Sequence, residues 1–153
     1  MDILSLFVIV PVLIVLALTF FAKDLKQARL ISVVGMGIQF AMSINLIFAY
    51  LKERAVNTGI MVFTKDVVWY ETFNIHYSIG VDAISVVMIA LTSVVLLAGV
   101  FISWKIDDLP KEFFISLIAL SSGVFGFFIS TDLFTMFVFY EIAVIPMYPV
   151  SYT

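Results

Sequence analysis

Residues 81–104 read VDAISVVMIALTSVVLLAGVFISW, and this stretch decides the fold class. Apart from Asp82 at its start it carries no charge, and it is long enough to cross the ~30 Å of hydrocarbon in a bilayer, which takes ~20 helical residues. Its apolar residues run on without the alternation of a barrel strand. In lipid every backbone N–H and C=O must be paired internally, so a run of this kind is a membrane helix.

Working outward, four more such runs appear, at about residues 3–22, 30–51, 113–129 and 133–150. The first contains Pro11, which membrane helices tolerate as a kink. It follows Met1-Asp2 with no Lys or Arg before it, so it reads as a retained helix and not a signal peptide. Asp107, Asp108 and Pro110 mark the start of the fourth helix, and Ser130-Thr131-Asp132 is a tight turn before the fifth. The expected fold is an all-α polytopic bundle of about five transmembrane helices, forming one membrane domain over residues 1–153. Only residues 55–79 break the pattern. There Asn57-Thr58-Gly59 reads as a turn, and the runs around Val62, Val68 and Ile75 read as short strands of a water-side hairpin. Trp69, Tyr70 and Tyr77 would sit near the headgroups.

Composition agrees: 63% of the 153 residues are hydrophobic and 12% are charged, too few polar side chains to cover a soluble surface. With no basic stripe, nucleic acid is not an expected partner. With no cysteine and one histidine, His76, thiolate and iron–sulfur ligation are excluded and a histidine metal site is not expected. Lys23, Lys26, Arg29, Lys105 and Lys111 lie in the two loops of one side; Lys52, Arg54 and Lys65 spread over the longer loop of the other. That bias favours an N-terminus outside the cytoplasm.

Three acids lie in or beside the apolar runs. Asp82 and Asp132 stand at helix starts, where a carboxylate can accept free backbone N–H groups and face the positive end of the helix dipole; for Asp82 a part in proton transfer is the other reading. Glu141 lies about 12 Å beyond Leu133 along the fifth helix, near mid-membrane. An ionised carboxylate there costs on the order of 3 kcal/mol or more, so such a residue is normally turned inward, protonated or paired. Balanced between burial and a nearby cation, it can take and release a proton; the plainer reading is a neutral Glu joining helices by a hydrogen bond. Pro146 and Pro149 free the carbonyls of Ile142 and Ile145, and Tyr148, seven residues on, shares the helix face of Glu141. Tyr148 is a candidate for the same proton path or an interfacial anchor. Gly35, Gly37, Gly99, Ser122 and Gly126 are small residues suited to close helix packing.

Residues 132–148, DLFTMFVFYEIAVIPMY, and residues 69–85, WYETFNIHYSIGVDAIS, resemble the antiporter-like membrane subunits of respiratory complex I, the subunit M or chain 4 family. The resemblance covers residues 1–148, and Glu-x-x-x-Ile-Pro-Met-Tyr is its most specific part. It implies that Glu141 is the family's fifth-helix proton-transfer glutamate. It also implies a proton-translocating subunit without cofactors of its own, in a bacterial inner membrane with a periplasmic N-terminus. NADH, FMN, iron–sulfur clusters and quinone would be handled by partner subunits. Family members commonly have Gly where Ala83 stands. They are much longer, and the lysines of their later helices are absent here, so the chain reads as the N-terminal part of such a subunit, truncated or partial. A cation/proton antiporter subunit, a membrane-bound hydrogenase subunit and a non-transporting truncated module are the alternatives.

Overall fold

The computed structural model describes residues 2–106, 108 and 110–152. Five helices occupy these residues: α1 (Ile3–Phe21), α2 (Leu25–Val56), α3 (Ala83–Ser103), α4 (Lys111–Ile129) and α5 (Leu133–Ser151). Between α2 and α3 stands an antiparallel hairpin of β1 (Val62–Tyr70) and β2 (Ile75–Val81). Helices α1 to α4 are each long and apolar enough to cross a membrane. The chain is a multi-pass membrane protein.

The helix α2 has 32 residues, well beyond the apolar run at 30–51. Its polar ends, Leu25 to Arg29 and Lys52 to Val56, are rich in Lys, Arg, Gln, Glu and Ala, which favour helix. No Gly or Pro interrupts them before Asn57, whose N–H bonds the Glu53 carbonyl. The start of α4 differs in another way. Pro110 takes the N-cap position without a side-chain bond, so Asp108 does not cap the helix; Asp107 lies outside the described residues.

Lipid offers no hydrophobic drive for helices to associate, so close contact and interhelical hydrogen bonds must hold them. The core at the α1–α2–α4 junction shows both. Phe7 and Phe125 meet with ring centroids 5.6 Å apart and ring planes tilted by 53°. Gly35 admits Ile14, whose Cδ1 would lie 2.6 Å from an added Cβ. Gln39, fully buried, donates from Nε2 to the Phe7 carbonyl at 3.0 Å. Ser43 and Ser93 join α2 to α3 through their hydroxyls at 2.8 Å. Gly37 and Gly99 do not pack helices: a methyl group on either would meet nothing within 4 Å. Gly123 does, although only its neighbours Ser122 and Gly126 were expected to.

The hairpin turns through a short 3-10 segment, Glu71–Phe73, and Asn74, which adopts the left-handed conformation at φ 51°. Within β1, the four residues from Val62 to Lys65 face the three from Ile79 to Val81. This bulge puts Phe63 at φ 57°, as such bulges do for their first residue. Asp66 accepts from the Ser78 hydroxyl at 2.6 Å and faces His76 Nδ1 at 3.0 Å, while His76 Nε2 meets Asn74 Oδ1 at 3.0 Å. These contacts give His76 a structural place in the hairpin.

Candidate functional site

The fifth helix is anchored at its start by three sets of bonds. Asp132 Oδ2 accepts from the N–H groups of Phe134 and Thr135, at 3.0 and 3.3 Å, the cap expected from its position. Thr131 N–H donates to the Ser78 carbonyl at 3.0 Å. The Thr135 hydroxyl donates to the His76 carbonyl at 3.1 Å. A bridge between Ile79 and Ser130 completes the junction. The hairpin therefore holds the α4–α5 turn through β2. Gly80 lies at the contact, where an added Cβ would meet the methyls of Thr64 and Thr131 at 3.0 and 3.1 Å.

Further along, α5 lies directly on α4. A Cβ on Gly123 would fall on the backbone of Ala143, and one on Gly126 would enter the ring of Phe139. Thr135 and Phe139 are buried in this contact. At 3.6 residues per turn, Glu141 points about 160° away from both Phe139 and Ala143. It stands in the middle of the opposite face, among exposed Phe134, Phe137, Ile145 and Tyr148, and is itself exposed. No hydrogen bond or ion pair among the described residues involves its carboxylate. The inward partner expected of a membrane carboxylate is thus not among these residues.

Of the other candidates, Tyr148 shares this open face, with its ring 4.7 Å from that of Tyr152. The helix continues through Pro146 and Pro149. Asp82 stands apart from Glu141, at the start of α3. Its Oδ1 accepts from the Ser85 N–H at 2.8 Å, so it acts as a cap in this structure.

Two polar residues in α2 were not singled out from the sequence. Arg29 is almost wholly buried, and its Nη2 donates to the Ile106 carbonyl at 2.8 Å. Gln39 is uncharged and lies within the apolar run at 30–51, so nothing in its own surroundings marks it. Pro11 was the available signal. Lacking an N–H, it leaves the carbonyl of residue 7 without its helical donor, and a buried carbonyl needs another.

A groove of about 420 Å³ separates the hairpin from α5, between Trp69 and Tyr77 on one side and Val138 and Ile142 on the other. It opens beside Glu141 on the chain but is lined almost wholly by apolar side chains.

No family model matches the chain. It is 32% identical over 136 residues to NADH-quinone oxidoreductase subunit M of Buchnera aphidicola, covering 87% of this chain and 27% of that one. It is 26% identical over 149 residues to F(420)H(2) dehydrogenase subunit M of Methanosarcina mazei, covering 97% of this chain and 29% of that one. Its fold matches a chain of respiratory complex I from Thermus thermophilus with a TM-score of 0.72 at 19% identity, over 94% of this chain and 27% of that one. The chain spans less than a third of the length of these relatives. In sequence and in fold, this chain is homologous to the NADH-quinone oxidoreductase subunit M and chain 4 family of membrane subunits.

Proposed function

We propose that the chain is part of a proton-translocating membrane subunit of an NADH:quinone oxidoreductase, its N-terminal part, and that Glu141 is the group that takes and releases the proton. The position of Glu141 carries this reading: a carboxylate at the centre of an apolar, open face of a membrane helix. Left against lipid in its ionised form, it is costly. Other helices must cover this face. A cation on one of them favours the ionised carboxylate, and its withdrawal favours the neutral acid. Alternation between these states moves a proton. Tyr148, one face with Glu141 and two turns along, is the candidate to extend the path. We assign Asp82 to capping.

On this reading the oxidoreductase chemistry belongs to partner subunits, which handle NADH, FMN, iron–sulfur clusters and quinone. The partners of this chain are the other membrane subunits of complex I and the lipid bilayer. The location is a bacterial inner membrane with the N-terminus on the periplasmic side, in keeping with the five basic residues of the α1–α2 and α3–α4 connections, counted with the opening turns of α2 and α4.

The test is Glu141→Gln in the assembled complex. NADH-driven proton uptake into inverted vesicles is expected to be lost, while NADH oxidation by ferricyanide, which bypasses the membrane arm, is retained. Pumping at the wild-type level would sink the proposal. The likeness to an F(420)H(2) dehydrogenase subunit favours a second reading, in which the same proton chemistry serves a different electron donor. Purifying the complex through a tag on this chain and identifying its electron-input subunits separates the two.

A further inference from the structure

We propose that His76 is a pH-responsive latch that sets how firmly the hairpin holds the start of α5. The hairpin has two unlike faces. Val67, Trp69 and Tyr77 line the groove against α5. Side chains of a strand alternate, and Asp66, His76 and Ser78 form a polar cluster on the other face. Two residues of this cluster also carry the anchor of α5. The His76 carbonyl accepts from the Thr135 hydroxyl at 3.1 Å, and the Ser78 carbonyl accepts from the Thr131 N–H at 3.0 Å. Whatever tightens or loosens β2 at residues 76 and 78 therefore acts directly on α5.

Both ring nitrogens of His76 face oxygen. Nδ1 lies 3.0 Å from Asp66 Oδ2 on β1, and Nε2 lies 3.0 Å from Asn74 Oδ1 in the turn. Only the imidazolium donates from both nitrogens. In that form His76 clasps β1 and the turn at once, and its bond to Asp66 is charge-assisted, the stronger kind. The neutral ring has one donor, so one contact must be remade by turning the Asn74 amide, and the charge assistance is gone. Histidine ordinarily titrates between about pH 5 and 8, and His76 is the only one in the sequence. Other charged groups on the hairpin and the helices packed against it are engaged elsewhere: Lys65 with Asp2, Arg54 with the Gly59 carbonyl, Glu53 with Asn57, and Asp82 and Asp132 with helix N–H groups. Lys52 and Glu71 make no bond or ion pair with His76. Asp66 is the charge that faces it. Acid on the hairpin side of the membrane thus firms the hold on α5, and protons accumulating there act as a brake on the helix that carries Glu141. That last consequence rests on the reading of Glu141 given above; the latch itself does not.

Hydrogen exchange of the Thr131 amide reads the latch. The chain, isotopically labelled at threonine, is placed in lipid nanodiscs and followed by NMR, with exchange corrected for its intrinsic dependence on pH. Protection of Thr131 is taken relative to Thr92, which lies within α3. It is expected to be about threefold higher at about pH 5.5 than at about pH 8, an effect of the size that exposed ion pairs give. His76→Gln and Asp66→Asn are each expected to abolish the difference, the first by removing the titrating ring and the second by removing the charge it answers to. Equal protection at the two pH values in the unsubstituted chain, or a difference that survives in either variant, would overturn the proposal. The measurement involves no proton pumping, so its failure is distinct from a failure of the role given to Glu141.

Discussion

Gln39 on α2 donates its side-chain amide to the carbonyl of Phe7 on α1, 3.0 Å away, and Phe7 is the residue whose helical donor Pro11 removes. The amide replaces across two helices the bond that proline deletes within one. In lipid, where no water can serve the carbonyl, the replacement ties α2 to the turn of α1 that precedes Pro11.

Gln39→Leu is therefore expected to destabilise the chain by about 1–3 kcal/mol, the cost of leaving a buried carbonyl unserved. In a Pro11→Ala background the helix regains its own N–H, and the same substitution should cost much less. Denaturant titrations of the four variants in detergent give the coupling. An equal cost in both backgrounds would show that Gln39 does not stand in for the missing donor.

The α4–α5 contact leaves no room for a Cβ at Gly123 or Gly126. Gly126→Ala would drive a methyl into the Phe139 ring, an overpacking expected to cost about 1–3 kcal/mol. In a Phe139→Ala background the same substitution should cost much less, because the ring it meets is gone. If Gly126→Ala is neutral on thermal unfolding, α5 does not lie on α4 as described.

Acid is expected to loosen the hairpin through Asp66. The Ser78 hydroxyl, and then His76, hold its carboxyl below the usual carboxylate range. A carboxyl with a lowered folded-state pKa contributes stability above its unfolded value, and that contribution is lost as pH falls through the folded value. Trp69 fluorescence, followed with Trp104→Phe, should thus change as pH falls below about 4. The change should be smaller in Asp66→Asn, which carries no titrating carboxyl. The same acid response in both would exclude Asp66 as its source.

How much of this could be read in advance depends on whether the information was local. The apolar runs and the acids at helix starts are local, and the bundle, the Asp132 cap and the Asp82 cap follow from them. The glycines show the opposite. Gly37 and Gly123 look alike in sequence, yet one faces open space and the other receives α5, because only the partner helix decides. The same holds for the two polar residues of α2. Arg29 looked like a loop charge until the α3–α4 connection came to lie against it, and Gln39 gained its meaning from a proline on another helix. For Glu141 the sequence pattern gives only an expected depth, and the packing of Phe139 and Ala143 on α4 gives the direction.

That direction separates Glu141 from the other two membrane-edge acids. Asp82 and Asp132 use their oxygens on backbone N–H groups, whereas Glu141 stands exposed among Phe137, Ile145 and Tyr148. A neutral carboxyl is the form that hydrocarbon tolerates, and it reacts with an apolar carbodiimide dissolved in the bilayer by giving its proton to a carbodiimide nitrogen and adding its oxygen to the central carbon. The 153-residue chain in vesicles should take up one carbodiimide, on Glu141, and peptide mapping should find Asp82 and Asp132 unmodified. Glu141→Gln should remove the adduct. In an assembled complex, where further helices cover this face, labelling should slow by about tenfold or more, as expected if covering the carboxyl adds ~1.4 kcal/mol to the barrier. Labelling of the two caps at the rate of Glu141 would show that the open face of α5 gives this carboxylate no special exposure to the membrane.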